Sequence, residues 1–106
     1  MIEVKEYQAQ NGKNYYQEWL ETLDKLTLAK VLKHVRKLSK GLGHLRAVEG
    51  KLWELKIDLG PGYRVYFYRK GNELIVLLAG SDKSQQERTF NLARRLIKKI
   101  EKEESA

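Results

Sequence analysis

The sequence predicts an α+β domain in which helices pack on a small, curved, antiparallel sheet. Three observations carry that expectation. Apolar residues recur at helical spacing before residue 40 and again after residue 86, and at a spacing of two between residues 53 and 67. The extended segments are joined by short glycine turns, which suits antiparallel pairing. A length of 106 residues is enough for one core, and no linker or repeat divides it, so a single domain over 1–106 is expected.

Residues 2–8, IEVKEYQ, alternate loosely and suit a first strand, which Asn11 and Gly12 break. Large apolar residues then fall at Tyr15, Tyr16, Trp19, Leu20 and Leu23, the spacing of a helix with Asn14 or Asn11 as its N-cap. A second helix follows, with Leu28, Val31, Leu32, Val35 and Leu38 as its apolar stripe and Lys30, Lys33, Lys37 and Lys40 opposite. Gly41 and Gly43 end it. From Lys51 the period becomes two, with Trp53, Leu55, Ile57 and Leu59 inward and Glu54, Lys56 and Asp58 in water. In DLGPGYRVYF, Pro61 and Gly62 fit the second and third positions of a type II turn. The strand after it sends Val65 and Phe67 to the core and Arg64, Tyr66 and Tyr68 to the other face. ELIVLLAG is apolar on both faces, as for a central strand covered on both sides. Ser84-Gln85-Gln86-Glu87 reads as a capping box opening a last helix, with Phe90, Ala93, Leu96, Ile97 and Ile100 inward and EKEESA fraying.

Charge narrows the function. Twenty-one Lys and Arg against fourteen Asp and Glu give a formal charge of +7, a field that attracts polyanions, nucleic acid above all. Between Lys30 and Arg46 there is no acid at all. The absence of cysteine excludes disulfides and thiolate metal sites. The longest apolar run, Leu74 to Ala79, is too short to span a bilayer. Met1-Ile2 leads directly into Glu3, Lys5 and Glu6 without a basic, apolar leader, so a cytoplasmic protein with no membrane partner is expected.

Period-two geometry gathers Lys56, Arg64 and Tyr66 on one face of neighbouring strands. Lys83, just beyond the next strand, reaches the same rim, and Arg46, in a loop leading to the hairpin, adds a further cation. Exposed sheet faces often satisfy such charges internally, with Lys56 on Glu54 or Asp58 and Arg64 stacked on Tyr66. Like charges on adjacent strands cost stability, however, so the cluster suits a bound phosphate backbone. His34, in a lysine-rich helix, and His44, in a loop, read as surface or packing residues, with His44 alone kept as a minor catalytic candidate. Trp19 and Trp53 fall on apolar stripes and read as core anchors.

LWELKIDLGPGYRVYF, followed by LIVLLAGSDKSQQ, resembles the RelE/ParE superfamily of type II toxin-antitoxin toxins, in particular the branch called addiction module killer proteins, close to the HigB-type toxins. The likeness covers most of the chain; the hairpin and GSDKS are its specific parts, and the helical half is generic. It implies a RelE-like fold and a ribosome-dependent endoribonuclease that cuts messenger RNA, held in check by a cognate antitoxin, expected to be a helix-turn-helix protein. Under the resemblance Arg64 would hold the scissile phosphate, and Lys83 would stabilise the transition state or protonate the leaving oxygen. Lys56 would act as base if neighbouring cations lower its pKa. Arg46, Tyr66, Lys37 and Lys40 would bind RNA. No His, Asp and Glu cluster has metal-ligand spacing, so no metal or other cofactor is expected, and the route is attack by the RNA's own 2′-hydroxyl. The chain departs from the nuclease members in having Phe90 where they carry a tyrosine or histidine near the C-terminal end of the site. The same fold also serves ParE-like toxins that bind a DNA topoisomerase, and a non-toxic RNA-binding domain is a third possibility.

Overall fold

In a computed structural model, which describes residues 1–105, the expected α+β architecture is present with one more strand than the sequence suggests. The order is β1 (Glu3–Glu6), α1 (Tyr15–Glu21), α2 (Lys25–Arg36), β2 (His44–Glu49), β3 (Leu52–Ile57), β4 (Tyr63–Lys70), β5 (Leu74–Asp82) and α3 (Gln86–Glu104). The five strands lie in the order β1-β5-β4-β3-β2, with β1 parallel to β5 and every other pair antiparallel.

Local chemistry accounts for the helix ends. The Asn14 side chain accepts from the Gln17 N–H at 2.9 Å and starts α1, and Asp24 does the same for α2 through Thr27 at 2.8 Å. After Arg36 the chain tightens into a 3₁₀ turn, Lys37–Lys40, and Gly41 closes it at φ 69. The capping box does not form. Asp82 takes that role, accepting from the Gln85 N–H at 3.2 Å and from the Ser84 hydroxyl at 2.6 Å, so a 3₁₀ turn, Lys83–Gln85, precedes α3. The hairpin turn also sits one residue earlier than expected. The Gly62 N–H donates to Leu59 O at 2.9 Å, which puts Gly60, at φ 53, second and Pro61 third. A positive φ at the second position matches the strand twist.

β2 is the segment read as a loop. Its sequence, HLRAVE, is mostly exposed, because an edge strand has only one neighbour and needs few apolar side chains.

Two cores flank the sheet. On one face, Tyr16, Leu20, Val31, Val35 and Leu38 pack against Leu55, Ile57, Val65 and Phe67. On the other, Ala93, Leu96 and Ile97 of α3 cover Leu52, Tyr66, Tyr68 and Leu78. The face expected to be wet is thus largely roofed by α3, and Glu54, expected in water, is only 4% exposed. Period-two reading places side chains on faces but does not say which face a distant helix covers. The end of α3 is held by a hydrogen bond from the Tyr68 hydroxyl to Glu104.

Burial, chiefly, pushes the hydroxyls of Tyr16, Tyr66 and Tyr68 up to about 12. The ordinary value for tyrosine is about 10. A folded-state pKa raised above the unfolded one contributes stability that is whole below pH 10 and lost as pH rises through the window to 12. Alkaline titration followed by circular dichroism is therefore expected to show stability falling steeply across that window. Tyr16→Phe and Tyr68→Phe each flatten the fall.

Candidate functional site

Strand register builds the site. Across the sheet, His44, Lys56, Arg64 and Ser81 form one row of direct partners, and Arg46, Glu54, Tyr66 and Ala79 form the next. Direct partners on one face bring Cβ atoms within about 5.5 Å. The first row therefore crowds an imidazole, an ammonium and a guanidinium at the sheet's end. Lys83 joins them because its N–H donates to Gly62 O at 3.0 Å, tying the start of the 3₁₀ turn to the hairpin. Lys56, Arg64, Lys83, Asp58 and the Gly60-Pro61-Gly62 turn line an open cavity of about 410 Å³. A second cavity of about 430 Å³ adjoins it, lined by Arg46, Glu54, Tyr66, Gln86 and Phe90, and Lys83 lines both.

The charges are unevenly answered. Lys56 reaches Asp58 at 3.7 Å, with both side chains well exposed, a pair of little energetic weight. Arg46 places Nη2 at 3.0 Å and Nε at 3.2 Å from Glu54 Oε1. Three buried polar atoms have no hydrogen-bond partner among the described residues: Arg64 Nε, Ser81 Oγ and Glu54 Oε2. All three lie in these two rows. Buried polar groups are ordinarily hydrogen-bonded, so these atoms mark where the two rows leave donors and acceptors for a further partner. A surface so arranged is suited to polyanionic ligands with several oxygens to share.

The family model of phage-derived Gp49-like proteins (DUF891) matches residues 18–103. The chain belongs to this family. It is a RelE-like family of addiction module killer proteins, toxins of toxin-antitoxin modules, which implies an antitoxin as partner. The matched span holds both cross-strand rows and Lys83. A Haemophilus influenzae protein described as uncharacterized is 34% identical over 87 residues, covering 80% of this chain and 88% of that protein. The five-stranded sheet with α1 and α2 on one face and α3 on the other fits the RelE-like fold of the Gp49 family. Among the described residues no helix is long and apolar enough to cross a membrane.

The fold brings Lys56, Arg64 and Lys83 together around one cavity. Arg46 stands beside them, in β2 rather than in a loop, and is engaged with Glu54. Tyr66 is on the expected face but only 1% exposed. Its ring lies under Phe90, centroids 6.1 Å apart, and offers no open face for a base to stack on. Lys37 and Lys40 are not part of the site. They belong to the turn after α2, where Ser39 O accepts from the Ile2 N–H, and Lys40 borders a cleft with Met1 and Asn72. That is the end of the sheet opposite the Pro61 hairpin, because Asn72 sits in the β4–β5 turn. Sequence reading missed Glu54 and Ser81, and kept His44 only as a minor candidate in a loop. Extending the period of two backward from Arg46 would have placed His44 on the same face; the burial of Glu54 depends on α3 and has no local signal.

Proposed function

We propose that this Gp49-family toxin is a ribosome-dependent, metal-independent endoribonuclease, close to the HigB-type toxins, that cuts messenger RNA and stops translation in the cytoplasm. The reading rests on one observation above all: Lys56, Arg64 and Lys83 converge on a single cavity beside the buried, unpartnered Arg64 Nε. In that arrangement the 2′-oxygen attacks the adjacent phosphorus, the P–O5′ bond breaks, and a cyclic phosphate and a 5′-hydroxyl result. Arg64 holds the non-bridging oxygens as their charge grows, and the Lys83 ammonium supplies the proton that the leaving 5′-oxygen takes.

The attacking hydroxyl must lose its proton to a neighbouring group. His44 is the cross-strand partner of Lys56, next to the cavity rather than on its lining, and imidazole is the side chain whose ordinary pKa is near neutrality. His44 supplies the acid-base function that nuclease relatives were expected to carry after the last strand. His44→Ala is expected to slow cleavage by about a hundredfold or more, and Lys56→Ala by less, measured as cutting of a translated message on purified ribosomes. A larger loss for Lys56→Ala would make the lysine the base.

Primer extension after induced expression should find new 5′ ends inside translated messages. Arrest of growth with no such ends, and with DNA replication stopping first, would overturn the nuclease reading in favour of a topoisomerase poison. The antitoxin, expected to be an acidic helix-turn-helix partner of a chain at +7, should associate more slowly as salt rises. Stopped-flow binding measures this, and an Arg64→Ala, Lys83→Ala double variant shows whether the antitoxin masks the site directly.

A further inference from the structure

Apart from Lys83, which it shares with the first, the second cavity has a lining that phosphate handling does not explain. It is lined by the buried carboxylate of Glu54, the Glu87 carboxylate, the Phe90 ring and the Arg46 guanidinium, 63% exposed. Arg46 uses Nε and Nη2 on Glu54 Oε1. The guanidinium plane is therefore fixed while the Nη1 and Nη2 hydrogens at its far end still point outward. A fork held this way matches two acceptors side by side, and among nucleobases that pair is O6 and N7 of guanine.

Scale agrees as well. The Arg46–Glu54–Tyr66 row lies two residues along the strands from the Lys56–Arg64 row, about 7 Å, which is the order of the separation of a phosphate from the base of its own nucleotide. A volume of about 430 Å³ falls in the range of about 300–1,000 Å³ usual for small-molecule sites. Phe90 is half-exposed and borders the cavity, so a base seated there has an aromatic edge or face beside it.

We propose that this cavity is a nucleobase subsite selective for guanine in single-stranded RNA, with Arg46 reading the base, Glu54 positioning Arg46, and Phe90 walling the pocket. The proposal rests on the nuclease reading for its choice of RNA as ligand. Its test does not depend on cleavage. The probes are uridine hexamers fully 2′-O-methylated, so that no 2′-hydroxyl can attack, carrying at one central position guanine, adenine, uracil or 7-deazaguanine. Fluorescence anisotropy with the wild-type protein is expected to give about tenfold tighter binding for guanine than for uracil or adenine. The 7-deazaguanine strand, which lacks the N7 acceptor, should lose that advantage with the protein unaltered. Arg46→Lys, which keeps the charge but not the fork, should bring the guanine strand to the affinity of the others. Equal affinity for all four strands, guanine preference that survives both changes, an equal loss on all strands in Arg46→Lys as expected of a phosphate contact, or no binding of any strand would each overturn it. If messages are never cut but the guanine preference holds, the nuclease reading fails and the subsite stands.

Discussion

Arg64→Ala is expected to abolish toxicity and to lower the cleavage rate by about a hundred- to a thousandfold, the loss typical of removing one preorganised donor from a developing negative charge. The same variant should stay folded and lose no stability. Arg64 is directly opposite Lys56, so removing it relieves like-charge crowding. Removal of a group placed for binding rather than for packing often leaves a protein as stable as before or more so. Arg64→Lys should recover little, since an ammonium cannot span two phosphate oxygens as a planar fork does. The check pairs cleavage of a ribosome-bound message with a thermal melt. A variant that melts like wild type and still cuts, or still kills on induction, would remove Arg64 from the chemistry.

How much of this could be read from the chain alone differs by element. Lys56 and Arg64 were legible because they lie on strands with a clean period of two joined by a glycine turn, and Lys83 because it directly follows β5, the next strand. α1 and α2 were legible from their apolar spacing and from Asn14 as a cap. β2 was not, because an edge strand is specified by one partner and HLRAVE has too few apolar residues to declare itself. The roofing of Tyr66 and Glu54 was not legible either. It arises from α3, whose first turn begins four residues after β5 ends and whose return path across the sheet is a tertiary matter. The shift of the helix cap from Ser84 to Asp82 shows the same limit at small scale, since both residues are good caps and the 3₁₀ turn between them decides.

Gly80→Ala is expected to be the most destabilising single-methyl change in the chain, and its cause is the ring of Trp19. A Cβ at position 80 would lie 2.2 Å from Cε3, 2.4 Å from Cζ3 and 2.5 Å from Cδ2 of that ring. Atoms do not approach so closely, and the obstacle is a rigid indole rather than the tip of a flexible chain. Gly80 is in a strand with no positive φ, so the glycine is required by contact and not by backbone conformation. Tyr16 and Tyr63 stand beside Trp19 with ring centroids 6.3 Å away in each pair, so the indole can yield only towards the cleft that it lines with Gly80 and Thr89. Its helix has only seven residues, too few to persist without tertiary packing. The methyl must therefore push the indole out of its packing into that cleft or lift α1 from β5. Overpacking of a filled core costs about 1–3 kcal/mol and sometimes more; a rigid partner on a rigid strand puts this change near 3, or roughly 10–20 °C in melting temperature for a chain of this size. A double-mutant cycle isolates the cause. Trp19→Ala is itself destabilising, but on that background Gly80→Ala should cost almost nothing, leaving a coupling of about the whole single-mutant effect. A Gly80→Ala variant within about 0.5 kcal/mol of wild type, or an equal cost with and without the indole, would show that Trp19 does not lie on Gly80 and that α1 is held to the sheet by other contacts.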